Sequence, residues 1–171
     1  MARYVAFLRG VMPTNAKMTE LKSCFERAGF SNVKTVLASG NVVFDARNKS
    51  DTALARDIEA AMARYLGRKF YTIVRPVSRL QELIKSDPFA AFQLPANAKR
   101  VVTFLREPHK SELSLPLATD GVRILAINGR DAFIVYVPNV KGAVFMIVIE
   151  KTFGTNVTTR TWDTVKKCTL A

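Results

Sequence analysis

Arg3-Tyr4-Val5-Ala6-Phe7-Leu8-Arg9, close to the start of the chain, returns in its second half as Arg100-Val101-Val102-Thr103-Phe104-Leu105-Arg106, identical at five of seven positions. Each stretch is dense in strand formers. In an extended chain Val5 and Phe7 point to one side and Tyr4, Ala6 and Leu8 to the other, so both sides are apolar. A strand of that kind belongs in the middle of a sheet covered on both faces. Two such strands imply two sheets built to one plan.

Outward from the first copy, the Met12-Pro13-Thr14-Asn15 loop ends the strand, and Leu21, Cys24, Phe25 and Ala28 then recur at helical spacing until Gly29, with Thr19 or Met18 at the helix start. Val33, Thr35 and Leu37 alternate with Lys34, Val36 and Ala38. Ser39-Gly40-Asn41 turns the chain and Val42-Val43-Phe44 returns it, which makes a hairpin. Ser50 or Asp51 caps a second helix whose apolar stripe is Leu54, Ile58, Ala61, Met62 and Tyr65, with Gly67 as its stop. Phe70 to Val77 supplies a fourth strand and Ser78 to Lys85 a short helix. The order β-α-β-β-α-β is that of a ferredoxin-like sandwich, an antiparallel sheet with two helices on one face.

The second copy follows the same order more loosely. After Arg100–Arg106, Ser111 to Leu115 leaves room for a turn or two of helix before Pro116. Val122 to Ile127 and Ala132 to Val137 form a hairpin around Asn128-Gly129, a type I′ signal. A helix is expected over 142–153, a short strand over 156–160, and a closing turn of helix over 165–170. The expectation is therefore an α+β protein of two ferredoxin-like halves, residues 1–86 and 99–171 joined by a linker over 87–98, with antiparallel sheets packed into one compact unit.

The 171 residues are 49% apolar, ample for a packed interior, which excludes a disordered chain. Tyr4 to Leu8 is too short for a signal-peptide core, and no window approaches the roughly 18 apolar residues of a membrane span. Two cysteines, Cys24 and Cys168, lie far apart with no CxxC spacing and fit a reducing compartment, so a cytoplasmic protein without membrane partners is expected. The one histidine, His109, reads as part of an exposed turn. Nitrogen and sulfur ligands are too few for zinc, no Asp-x-Asp pattern argues for a hard metal, and no cofactor motif occurs. Against 14 acidic residues stand 26 basic ones, a net charge of +12. Residues 1–98 carry 15 basic and 8 acidic side chains, the rest 11 and 6, so no basic tail concentrates the charge. An anionic partner, nucleic acid included, is compatible with this balance, as is a merely soluble surface.

Three segments form a further pattern: Arg9-Gly10-Val11, Ser39-Gly40-Asn41-Val42-Val43-Phe44, and Thr158-Thr159-Arg160-Thr161-Trp162-Asp163-Thr164-Val165. Together they resemble the domain-of-unknown-function family 1697, in the right order and over nearly the whole chain. The resemblance implies a bacterial, cytosolic, duplicated ferredoxin-like protein, and it lends no catalytic residue. Two segments depart from the family. Its Gly-Gly pair after Arg-Gly-Ile-Asn is replaced by Met12 to Lys17, and its Gly-Arg-Ser-Lys-Leu appears as Val140-Lys141-Gly142-Ala143-Val144.

Within these motifs Arg9, Asn41, Arg75, Thr159, Arg160 and Trp162 are the candidate ligand-binding residues, expected where the two halves meet. A guanidinium fork at Arg9 or Arg160 suits phosphate or carboxylate, Asn41 can orient a ligand, and Trp162 can stack on it. Each has a structural alternative: an ion pair for Arg9, turn chemistry for Asn41, a core seal for Trp162. The third strand carries one aromatic where an RNA-recognition motif needs several, which argues against that mode of RNA binding. The leading expectation is a non-enzymatic binding protein for an anionic ligand. The rivals are a cofactor-free enzyme of small metabolites, marked by a perturbed carboxylate near Arg9, and a protein-interaction module using Val144, Phe145 and Ile147.

Overall fold

A computed structural model describes residues 1–110, 112–138 and 144–171. Alternation of apolar residues produces the first sheet, in which β1 (Ala2–Leu8), β2 (Ser31–Val36), β3 (Asn41–Ala46) and β4 (Thr72–Pro76) lie in the order β2-β3-β1-β4, every pairing antiparallel. β1 is central, as its two apolar faces require. Its Tyr4, Ala6 and Leu8 join Val42, Phe44 and Val74 in a core beneath two helices, α1 (Met18–Arg27) and α2 (Asp51–Leu66). Val5 and Phe7, on the opposite face, are just as completely buried.

The helices follow from their stripes and caps. α1 buries Leu21, Cys24 and Phe25, and α2 buries Leu54, Ile58, Ala61 and Met62. α1 starts at Met18, so Thr19 lies inside the helix. Its first turn is held by the Glu20 carboxylate, which accepts the Lys17 N–H at 3.4 Å. The Ser50 hydroxyl accepts the Ala53 N–H at 3.2 Å, and Gly67 leaves α2 with a left-handed φ of 67°. Phe25, Phe30 and Phe44 lock the layers together, their ring centroids 4.7 to 5.9 Å apart. Truncation of Phe44, which touches both other rings, costs about 3–5 kcal/mol by the usual toll of a large core cavity.

The second sheet holds β5 (Lys99–Leu105), β6 (Leu117–Thr119), β7 (Val122–Asn128), β8 (Asp131–Tyr136) and β9 (Val157–Thr161) in the order β6-β7-β8-β5-β9, again antiparallel. β5, the second copy of the heptapeptide, is central like the first. Three details differ from expectation. Residues 112–115 are not helical, and the edge strand β6 follows them; Ser111 lies outside the described residues, as do positions 139–143, which include the expected start of the late helix and most of the Val140–Val144 departure. The β7–β8 pairing sets Asn128 opposite Asp131, so the turn is Gly129-Arg130. Only Gly129 among these has positive φ, 65°, which is the II′ arrangement and not I′. His109 is half-buried, with its ring edge-on to Phe153 at a centroid distance of 5.2 Å.

Three further helices complete the chain: α3 (Val77–Ser86), α4 (Val144–Phe153) and α5 (Trp162–Leu170). The chain divides into two units, Met1–Glu82 with Thr164–Ala171 and Leu83–Asp163. In the first, the Arg3 guanidinium reaches the Ala171 carbonyl at 3.2 Å. In the second, Val101, Leu105, Ile124, Ile134 and Val157 form a core with Val148 and Ile149 of α4. Phe89, within the expected linker, is buried and meets Phe133 and Trp162 edge-on at 5.9 and 5.1 Å. Among the described residues no helix is long and apolar enough to cross a membrane.

Candidate functional site

The motif residues turn inward. Asn41 opens β3 opposite Phe7 and is fully buried; its amide donates to the Val36 carbonyl at 2.9 Å and the Ser39 hydroxyl at 3.0 Å, which cinches the hairpin loop. Arg75, opposite Val5 on the same face of the sheet, is 1% exposed and donates to the Val74 carbonyl at 2.9 Å. In the second unit the Thr159 hydroxyl shares a 2.8 Å hydrogen bond with that of Thr103 on the paired strand. Arg160 is half-buried and donates to the Thr158 hydroxyl at 2.5 Å and the Thr159 carbonyl at 3.0 Å. Trp162 is 2% exposed, with Phe89 against its ring. Arg9 is half-buried at the end of β1, and its backbone N–H donates to the Tyr71 carbonyl at 2.8 Å. Asn41 and Arg75 thus share one sheet face, and Thr159 and Arg160 adjoin on one strand.

Open donors gather elsewhere in the first unit. A cleft of about 430 Å³ lies between α1 and the end of α2, lined by Thr19, Ser23, Arg27, Tyr65 and Arg68 among others. Thr19, Ser23 and Arg27 stand four residues apart, so they share one helix face, each about 6 Å further along the axis. The Arg27 guanidinium lies over the Tyr65 ring, 4.1 Å from its centroid. That contact fixes the plane of the fork and leaves its N–H edge available, because Arg27 has no hydrogen-bond partner among the described residues. Arg68 follows the glycine that ends α2 and donates from Nη1 to the Asn15 carbonyl.

Asn15 organises the loop that follows β1. Its side chain accepts the Met12 N–H at 2.9 Å and donates to the Gly10 carbonyl at 2.8 Å, so the loop is closed by side-chain bonds. Glu20 is the one carboxylate lining the cleft, and it is turned to the Lys17 N–H. Cys24 lines the cleft too, and burial pushes its thiol pKa up against the opposing pull of Arg27. A thiol so placed is neutral and a poor nucleophile. The cleft therefore offers two guanidinium groups and the Thr19 and Ser23 hydroxyls to an incoming group, a donor set suited to phosphate or carboxylate.

Arg27 and Arg68 were not among the residues singled out by motif. The signal was present all the same: Thr19, Ser23 and Arg27 lie at i, i+4 and i+8 on the polar side of a helix whose apolar side is Leu21, Cys24 and Phe25. What the helix pattern does not contain is Tyr65 and Arg68, which come to the same place only when α2 packs on α1.

Asp45 is the carboxylate the field acts on most clearly. A hydrogen bond from Asn32, then the Arg3 guanidinium, hold its pKa below the ordinary value against the upward pull of burial. The Arg3–Asp45 contact is 2.7 Å. No group of three His, Cys, Asp or Glu side chains gathers to hold a metal among the described residues.

A family model described as a protein of unknown function, DUF1697, matches residues 1–133. The matched stretch includes the cleft and the Ser39–Phe44 hairpin and stops short of Thr158–Val165, so it covers less of the chain than the three motifs span. No curated protein matches. Among solved structures, the chain is similar to the conserved bacterial protein SP0830 from Streptococcus pneumoniae, with a TM-score of 0.69 and 17% identity over 99% of this chain and 97% of the other. At that identity the likeness speaks to the fold.

Proposed function

The chain belongs to the DUF1697 family, and on that premise we propose that it is a non-enzymatic binding protein for an anionic ligand, held in the cleft between α1 and α2. One observation carries the reading. Arg27 and Arg68 line the same cleft, each held in place by a contact within the protein, and neither has a carboxylate partner among the described residues. Guanidinium groups fixed in advance lose little freedom when an anion arrives, so more of the charge-assisted bonding appears as affinity. Thr19 and Ser23 add hydroxyl donors. The motif arginines are the weaker candidates, since Arg75 is buried and Arg160 already bonds to its own strand.

The net charge of +12 favours polyanions, and single-stranded nucleic acid is the polymeric ligand of this chemistry. An enzymatic reading draws less support. A general base needs a pKa near the working pH, and the shift at Asp45 runs the other way.

Calorimetric titration with inorganic pyrophosphate tests the proposal. Arg27→Ala and Arg68→Ala are each expected to weaken binding by about tenfold, the worth of one charge-assisted contact, with the chain still folded and its unfolding temperature lowered only slightly by loss of the Tyr65 or Asn15 contact. Undiminished binding in both variants would overturn it. A labelled single-stranded RNA, titrated across a salt series against the same variants, tells a polymer ligand from a small one by its steep salt dependence.

A further inference from the structure

A second cavity, beyond the C-terminal end of α1, differs in chemistry from the first. Its volume is about 490 Å³, within the range of small-molecule pockets, and it is lined by Ala28, Gly29 and Phe30 after α1, Ala46, Arg47 and Lys49 after β3, and Leu54 and Asp57 of α2, with Met1 beside them. The floor is apolar. Phe30 is half-buried, with its inner side against Phe44 at a centroid distance of 4.7 Å, and Ala46 and Leu54 belong to the same core. Here the aromatic core of the first unit opens to a hollow instead of closing under a side chain. A Cβ added at Gly29 would meet nothing within 4 Å, so that wall is open.

Among the described residues the rim carries three side-chain charges, and two of them pair. Lys49 and Asp57 pair at 2.8 Å. Arg47 is exposed and has no hydrogen-bond or ion-pair partner among the described residues, so one uncompensated guanidinium stands over an apolar floor. The ligand that matches is itself amphipathic. Its apolar body would replace water on Phe30, Ala28 and Ala46, and its single anionic head would take the fork of Arg47. A highly charged phosphate compound fits poorly, because among the described residues the lining offers it one side-chain cation without a partner, with the Asp57 carboxylate nearby.

We propose that this cavity is a binding site for a small carboxylic acid with an apolar body, aromatic or short-chain aliphatic, whose carboxylate pairs with Arg47. The site is independent of the Arg27–Arg68 cleft, and the two readings stand or fall separately.

The test compares 4-phenylbutyrate with its neutral amide by calorimetry on the whole chain. The acid is expected to bind about tenfold more tightly than the amide, as a charge-assisted bond outweighs a neutral one. Arg47→Ala, a change at an exposed loop position, is expected to bring the two ligands to equal affinity by weakening the acid alone. Ala28→Leu, which fills the floor, should weaken both, and Arg27→Ala should leave both unchanged. Equal binding of acid and amide by the wild type, a preference that survives Arg47→Ala, or one abolished by Arg27→Ala would each overturn the proposal, as would the absence of saturable binding.

Discussion

The two sheets seat nearly identical central strands in the same register, and the layers laid over those strands differ. Phe7 lies opposite Asn41 and Phe104 opposite Asp131, and all four are buried. The leucine that follows each phenylalanine donates its N–H to the carbonyl just before the neighbouring strand, Gly40 at 2.9 Å in the first sheet and Arg130 at 2.8 Å in the second. Above the first sheet α1 and α2 share a core and leave a cleft between them. In the second unit the described residues between β5 and β7 supply a loop and the edge strand β6 where the first unit has α1. Backbone pairing and alternation set a register, and the repeated heptapeptide encodes both. A binding surface depends on the covering elements, about which the heptapeptide says nothing.

The comparison breaks most visibly at the turn residue. A Cβ at Gly40 would lie 2.9 Å from Val11 Cβ and 3.1 Å from the Leu8 carbonyl, and the φ of +82° already disfavours any other residue. Gly40→Ala is expected to cost about 2–3 kcal/mol, since clash and strain act together. Arg130→Ala, at the matching place in the second sheet, should cost about 1 kcal/mol or less. Urea unfolding of both variants checks this, and equal losses would mean that the close approach at Gly40 carries no cost of its own.

A smaller effect sharpens the second sheet. Thr159→Val removes one hydroxyl of the Thr103–Thr159 bond and leaves the other, on the fully buried Thr103, without it. A loss of about 1–2 kcal/mol is expected from the unsatisfied group, and the Thr103→Val/Thr159→Val double variant should recover part of it. The first sheet has Ala6 where β5 has Thr103, so no such bond is at stake there.

The smallest effect is a matter of pH. The Asp45 pKa is lower in the folded chain than in the unfolded one, so between those two values the unfolded chain binds more protons. The Arg3–Asp45–Asn32 contacts therefore contribute fully above the ordinary carboxylate value and are lost as pH falls through the folded one. Asp45→Asn should be slightly less stable than the wild type near neutrality, and the difference should vanish in acid. A difference that persists there would assign the contribution to packing instead of charge.

Strand centrality, the first hairpin and helices α1 and α2 were legible because alternation and helical spacing report burial directly. Capping residues and turn positions shifted by a residue or so: Asn41 reads as turn and folds as the first residue of β3, where its amide bonds back to the loop it leaves. Residues 112–115, before Pro116, are irregular where a short helix was expected, since a few residues beside a proline hold little helical preference, and β6 begins only after them. The motif residues were legible as polar groups and their burial was not, for a physical reason. Tryptophan, asparagine and arginine in compact motifs draw attention as donors and platforms, and the same groups are what a buried turn or a sheet face uses to satisfy its own backbone. Arg27 and Arg68 lie in unremarkable contexts and become neighbours only through the packing of α1 against α2.

The central claim is that the anion site lies in that cleft and not at the motif residues. A titration of the isotope-labelled chain with pyrophosphate, followed by backbone amide NMR, tests it most directly. The account predicts shifts concentrated at Thr19, Ser23, Arg27 and the stretch from Tyr65 to Arg68. Shifts concentrated instead at Gly40–Asn41 or at Thr158–Trp162, with the cleft silent, would contradict it and return the site to the motifs.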